Sequence, residues 1–162
     1  MRNPNDVLNS LIKQANDKGY KFKRVYRNLY NKEFYLMAYS NIYSKEGNMT
    51  EGTDGKTIDG MSISRIESFI EKVKTESYTP QPVRRVYIEK TNGGKRPLGI
   101  PSFEDKLVQE VLRIILESIY EPTFSNQSHG FRPNRSCHTA LLQINRSFRG
   151  VKWFIEGSGA TK

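Results

Sequence analysis

The chain has one cysteine, Cys137, among its 162 residues. A single cysteine excludes an internal disulfide, and with no paired base nearby we interpret Cys137 as a small apolar residue of the core. No apolar run approaches the ~20 residues needed to span a bilayer, and no segment joins a basic start to an apolar core as a secretory signal does. These absences predict a cytoplasmic protein.

Acidic residues are also few. The sequence contains 17 Asp and Glu residues and 26 Lys and Arg residues, which gives a formal charge of +9 and a pI near 9.7. Such a balance favours polyanionic partners through counterion release and electrostatic steering. Nucleic acid is the first candidate, and an anionic membrane surface is the alternative. The length fits one domain with a real core, although a hydrophobic fraction of 36% makes the chain a polar one.

Apolar spacing predicts a mostly helical α+β fold. Residues 5–18 and 62–74 have amphipathic helical patterns, and residues 22–43 have a third that is re-phased near Asn31. A further helix follows Ser136, and residues 151–155 have the composition of a strand. The aromatic residues at helical spacing in residues 22–43 are interpreted as core rather than as a base-stacking surface.

The strongest helical pattern begins after Ser102, which with Asp105 resembles a capping box, and extends to about Tyr120. Its apolar residues cover so much of the circumference that we expect burial on more than one side. They are Leu107, Val108, Val111, Leu112, Ile114, Ile115, Leu116 and Ile119.

Residues 44–60 are rich in glycine and predict a loop. Asp54 and Asp59 each directly precede a glycine, as turn-forming aspartates do. Their spacing fits no metal-binding motif, so we interpret both as turn residues.

A basic β-hairpin is predicted between Pro80 and Pro101. Residues 83–90 form the first strand, residues 92–94 supply a turn that tolerates positive φ, and residues 98–100 return. Arg84, Lys90 and Arg96 are spaced six apart, so all three can converge on one anion such as a polyphosphate. The alternative is a solvated edge strand whose charges oppose aggregation.

A second basic segment extends from His129 to Lys152 and contains no acidic residue. It forms either a nucleic-acid surface or an ordinary charged helix face. Its cations are Arg132, Arg135, Arg146, Arg149 and Lys152.

Two segments of the chain resemble the first two motifs of bacterial group II intron reverse transcriptases of the maturase type. The first is PVRRV at 82–86, Lys90, NGG at 92–94 and RPLGIP at 96–101, and the second is SHGFRPNRSCHTA at 128–140. The loop at residues 47–60 is similar to the family's N-terminal extension. The likeness extends from about residue 20 to residue 157.

The resemblance implies part of a right-hand polymerase that copies RNA into DNA from a DNA primer and binds its own intron RNA. It divides the chain into an N-terminal helical extension (1–60), fingers (61–150) and the truncated start of a palm strand (151–162). It also implies that His129 orders its loop and that His138 is a surface residue. The implied dNTP-binding residues are Arg84, Lys90 and Arg96. The implied template or RNA contacts are Arg85, Lys95, Ile100, Arg132 and Arg135.

The chain departs from the family where the first metal-binding aspartate is expected. Glu156 and Gly157 are followed by Ser158, and the later aspartates are absent. Two-metal phosphoryl transfer needs several carboxylates that hold cations roughly 4 Å apart. We therefore expect no catalytic residue and no metal ligand here, although Mg²⁺ is expected for the complete enzyme. Glu89 stands where relatives usually have proline.

Three functions remain open at this point. The chain is an RNA-binding fingers fragment, or a polymerase half that acts only with a separate palm, or a basic protein that binds RNA without specificity. The unpaired edge of a truncated palm also predicts self-association.

Overall fold

The structure is a computed structural model that describes residues 2–91, 93–153 and 155. The chain divides into two compact units, Met1–Pro122 and Thr123–Lys162, called here the N-terminal unit and the C-terminal unit. The divisions that the sequence predicts at residues 60 and 150 concern function and stay predictions. Helices and one antiparallel strand pair make up the regular structure, in agreement with the predicted α+β class.

Each of the first four α-helices begins after a polar residue whose side chain accepts a hydrogen bond from a backbone N–H of the first turn. These N-caps are Asn3, Asn31, Ser62 and Ser102. The helices are α1 (Pro4–Ala15), α2 (Lys32–Tyr43), α3 (Ile63–Lys74) and α4 (Phe103–Tyr120).

The predicted break near Asn31 is confirmed. A 3-10 helix, Val25–Tyr30, comes before it, and Asn31 caps α2 through a 3.2 Å bond from the N–H of Glu33. Two short 3-10 turns, Ile58–Gly60 and Glu121–Thr123, complete the helical elements of this region.

The core of the N-terminal unit lies where α1 and α2 pack on the central helix α4 and α3 packs on α2 and on the 3-10 helix. Leu112 and Leu116 on α4 are 38% and 44% exposed, so the expectation that α4 is covered on more than one side is wrong for these two positions. They lie one turn apart on the side of α4 away from its buried stripe. The buried residues include Phe34, Tyr35, Ile66, Phe69, Val111 and Ile115.

The C-terminal unit contains α5 (Cys137–Ser147), whose first turn has a reciprocal capping box between Ser136 and Thr139. Cys137 is exposed at the first helical position, so its assignment to the core is wrong. Residues 151–153 and 155 have no strand structure, contrary to the strand predicted there, and residues 156–162 lie outside the described residues.

No helix in the described part of the chain has both the length and the apolar character needed to cross a bilayer.

Candidate nucleic-acid interface

The predicted basic hairpin is formed by β1 (Arg84–Glu89) and β2 (Lys95–Ile100), which pair antiparallel. Residues directly opposite each other share a face of the sheet. Arg84 is opposite Ile100 and Ile88 is opposite Arg96, so the register places Arg84 and Arg96 on one face. Among the twelve strand residues, all described, only Val86 and Ile100 are even half-buried. The hairpin therefore presents both faces to solvent.

The register also separates the three predicted anion-binding cations. Lys90 and Arg96 line one shallow pocket of about 440 Å³ near the turn, called here the tip pocket. Arg84 is four residues along β1 from Ile88, the partner of Arg96, a distance of about 14 Å at the usual rise per residue. The predicted trio is thus a pair at the tip and a single cation at the other end of the sheet.

The opposite face of the hairpin also has cations. Arg85 pairs with Gly99, and Lys95 is directly opposite Glu89. Among the described residues their charged groups form no ion pair within 4 Å. The acidic residue that departs from the family pattern therefore has Lys95 as its cross-strand partner.

The end of the hairpin away from the turn, called here the root, is held by the carboxylate of Asp105, which is 3% exposed. Its Oδ2 accepts the backbone N–H of Gln81 at 3.0 Å and the hydroxyl of Ser102 at 2.7 Å, and its Oδ1 accepts the hydroxyl of Tyr78. Burial, followed by the hydrogen bond to Asp105, raises the pKa of Tyr78. One buried carboxylate thus joins the segments before β1 and after β2.

The glycine-rich loop, residues 44–60, packs against the same root. The Thr53 hydroxyl donates to the carbonyl of Pro82 at 2.8 Å. A Cβ on Gly52 would lie 2.6 Å from the Cα of Ser102, so only glycine permits this close approach. Asp54 Oδ1 accepts the N–H of Lys56 at 3.3 Å, as expected of a turn-forming aspartate.

The second predicted RNA-contacting segment lies in the C-terminal unit, where its arginines bind their own loop. Arg132 Nη1 donates to the carbonyls of Ser125 and Ser128, both at 2.7 Å, and its guanidinium lies 5.2 Å from the ring centroid of Phe124. Arg135 Nη1 donates to a third loop carbonyl at 3.2 Å. These guanidinium groups therefore shape the loop.

His129 links this loop to α5, which confirms its predicted ordering role. Nδ1 lies 2.8 Å from the hydroxyl of Thr139, and Nε2 lies 2.6 Å from Oε1 of Gln143. His138 is exposed on α5, as predicted.

Across the described ranges, no cluster of three or more His, Cys, Asp or Glu side chains is placed to hold a metal ion. The described residues therefore do not fit a two-metal centre.

No protein-family model matches the chain. It is 56% identical over 137 residues to the group II intron-encoded protein LtrA of Lactococcus lactis subsp. cremoris, across 84% of this chain and 23% of LtrA. It is 48% identical over 161 residues to a 91 kDa protein in the cob intron of Schizosaccharomyces pombe, across 96% of this chain and 20% of that protein.

The chain belongs to the group II intron-encoded protein family.

A third relative shares a shorter segment: nuclear intron maturase 2 of Arabidopsis thaliana is 53% identical over 55 residues, across 34% of this chain and 8% of the maturase. The chain spans less than a quarter of the length of each of these three relatives. It matches the N-terminal part of the group II intron-encoded proteins.

Sequence reasoning missed several contacts that hold the hairpin in this family member. The Lys106 ammonium donates to the carbonyl of Thr50 at 2.6 Å, and no pattern of spacing marked either residue. Asp105 was expected as a helix-capping carboxylate, and a Ser followed three residues later by a carboxylate was the available signal. Its bonds to Tyr78 and Gln81 depend on tertiary contact and had no local signal.

Proposed function

We propose that the chain is the nucleic-acid-binding N-terminal part of a group II intron reverse transcriptase/maturase, with the basic hairpin as its main contact surface. The observation that carries the proposal is that the hairpin cations form no ion pairs with the described residues. Across the described residues, no carboxylate lies within 4 Å of any hairpin guanidinium or ammonium group. These cations are Arg84, Arg85, Lys90, Lys95 and Arg96.

Phosphate recognition accounts for this arrangement better than a protected edge does. An edge strand needs only enough charge to oppose pairing with a strand of another molecule. Here both faces of the hairpin have cations, and both strands are exposed to solvent. Guanidinium forks and an ammonium suit phosphate oxygens. The proposal also draws on the similar proteins, one of which is named as an intron maturase.

Individual roles follow the family pattern except at Arg84, which the pattern groups with Lys90 and Arg96 as a dNTP-binding residue and which the register places at the other end of the sheet. Lys90 and Arg96 in the tip pocket are proposed to hold the triphosphate of an incoming nucleotide. Arg85, Lys95 and Ile100 are proposed to contact an RNA template. A fingers assignment, a DNA primer, self-association and a cytoplasmic location belong to the same proposal, and Mg²⁺ is proposed as a requirement of the complete enzyme. Arg84, Arg132 and Arg135 are proposed to add further nucleic-acid contacts.

RNA binding tests the proposal. The full chain is titrated into fluorescently labelled group II intron RNA and into an unrelated RNA of equal length, from 50 to about 300 mM NaCl. We expect affinity to fall steeply with salt for both RNAs, because contacts to phosphates release counterions. We also expect the intron RNA to retain tighter binding as salt rises.

Two results would contradict the proposal in different ways. Absence of binding to either RNA at 50 mM NaCl overturns nucleic-acid binding altogether. Equal affinities for the two RNAs at every salt concentration leave a basic protein without intron specificity and overturn the maturase assignment.

A further inference from the structure

The hairpin root contains a second pair of cations. Lys106 lies in the first turn of α4, is half-buried, and donates to the carbonyl of Thr50 at 2.6 Å. Within the described part of the chain, no carboxylate oxygen lies within 4 Å of its Nζ. A half-buried ammonium with only a neutral carbonyl to bind retains two N–H groups for a ligand.

The strand register and the start of α4 bring Arg84 and Lys106 to the same end of the hairpin. Burial lowers the pKa of Lys106, the positive charge of Arg84 lowers it further, and Asp54 opposes both effects. The backbone explains this proximity. Arg84 is paired with Ile100, the last residue of β2, and α4 begins three residues after Ile100.

The positive charge of the exposed Arg84 repels the half-buried ammonium of Lys106, and an anion bound by both groups offsets that repulsion. We propose that Arg84 and Lys106 form a phosphate site at the hairpin root, which binds one backbone phosphate of an RNA strand. The inference rests on the proposed RNA-binding function and adds Lys106 to it.

The root site is separate from the tip pocket. Arg84 and Arg96 are about 14 Å apart along the sheet. At about 3.4 Å per nucleotide along one strand of a duplex, that distance corresponds to on the order of four nucleotides. A single triphosphate is too short to bridge the two positions, whereas a longer strand reaches both.

The test compares two probes on the full chain. Labelled octauridylate RNA is titrated by fluorescence anisotropy at several NaCl concentrations, and inorganic tripolyphosphate is titrated by calorimetry. We expect Lys106→Gln to weaken octauridylate binding several-fold and to reduce the salt slope by about 0.7, the value of one single-strand phosphate contact. Tripolyphosphate binding should weaken more in Lys90→Gln than in Lys106→Gln, because the tip pocket is the proposed triphosphate site.

Two further variants test the direction of the charge effect and provide a control for the loss of one surface charge. Asp54→Asn removes the opposing charge and should tighten octauridylate binding. Lys72→Gln removes one exposed charge in the last turn of α3, outside both sites, and should leave the salt slope within error of the wild type.

A salt slope for Lys106→Gln equal to that of the wild type overturns the root site. If Lys106→Gln also melts earlier because the Thr50 bond is lost, Lys106→Arg decides, since it keeps the charge. Recovery of the melting temperature without recovery of RNA affinity in Lys106→Arg overturns the inference. Failure of the wild type to bind RNA overturns the proposed function as well, whereas an unchanged slope with normal wild-type binding removes this inference alone.

Discussion

Glu110 is a buried carboxylate of α4 whose charge is stabilised by three side chains. Arg113 donates to both of its oxygens, at 2.7 and 2.9 Å, and Asn41 donates at 3.0 Å. Lys45 Nζ lies 3.9 Å away. Burial raises the pKa of Glu110, but the hydrogen bonds from Arg113 and Asn41 outweigh it, so the net pKa lies below the ordinary value of 4.5.

We expect Glu110→Gln to lower the free energy of unfolding by about 1–3 kcal/mol at pH 7. Because the folded-state pKa is below the unfolded value, the ionised Glu110 stabilises the protein fully above pH 4.5, and this stabilisation is lost as the pH falls through the folded-state pKa. The difference between wild type and variant should therefore shrink below pH 4.5. Urea denaturation at pH 7 and at pH 3.5 measures both values.

The control is Glu67→Gln, which removes an exposed ion pair with Lys32 at 3.6 Å. Exposed pairs contribute little, so its effect should stay within about 0.5 kcal/mol. A Glu110→Gln effect that is equally large at the two pH values would contradict the assigned cause.

Residue burial was only partly predictable from sequence. The helical pattern in residues 22–43 favoured an aromatic core, and Phe34 and Tyr35 are fully buried while Tyr26 and Tyr43 are more than half exposed. Tyr35 tolerates burial because its hydroxyl donates to the carbonyl of Leu29 at 2.9 Å. Such a bond joins two elements, so local sequence spacing does not predict it. The exposure of Cys137 likewise depends on tertiary packing that local spacing does not predict.

At the scale of elements, the glycine-rich loop and the hairpin root form one unit of packing. The 2.6 Å approach of a Cβ on Gly52 to Ser102 cannot be relieved by a side-chain rotation, because the neighbouring atom is backbone. The loop must therefore shift when this position has a side chain, and it contacts the root through Thr53 as well.

We expect Gly52→Ala to destabilise the protein by about 1–3 kcal/mol, the usual cost of overpacking. We also expect it to weaken RNA binding, because the shifted loop disturbs the hairpin root. Gly130→Ala is the matched control, since a Cβ there meets no atom within 4 Å. Equal free energies of unfolding for the two variants in urea denaturation would contradict this expectation, because the loop would then accept the added methyl group without loss of stability.

Element boundaries followed from sequence where the signal is local. The capping box at Ser102 located the start of α4, and the glycine turn located the hairpin. The division of its cations into a tip pair and a root cation needed the strand register, which spacing alone did not supply. The strand at residues 151–155 failed because strand composition specifies no partner, and residues 151–153 and 155 have none.

At the scale of the whole molecule, stability is unevenly distributed. The described buried hydrophobic residues all lie between Leu11 and Ile119, within the N-terminal unit. Every residue of α5 is described, and none is buried. The family and the basic charge could be predicted from sequence, whereas this imbalance could not, because α5 has an amphipathic pattern like the others.

Native-state hydrogen exchange should reveal the imbalance directly. Amides in the middle of α4 should exchange only by global unfolding, while those of α5 should exchange through local opening at a much lower free energy. Comparison of the two helices in one experiment at several urea concentrations provides its own control. Equal protection in α4 and α5 would contradict this expectation.

The exposure of both hairpin faces has a thermodynamic consequence. A two-stranded sheet with no face buried is marginally stable by itself in water. The folded hairpin therefore depends for its stability on the contacts at the root and on any anion bound to its cations. A polyanion that binds only the ordered hairpin raises the population of that conformation by mass action. Hydrogen exchange in the hairpin should therefore measure how much RNA is bound. The backbone amides of Val86 and Leu98 should gain exchange protection in proportion to the fraction of protein with bound RNA.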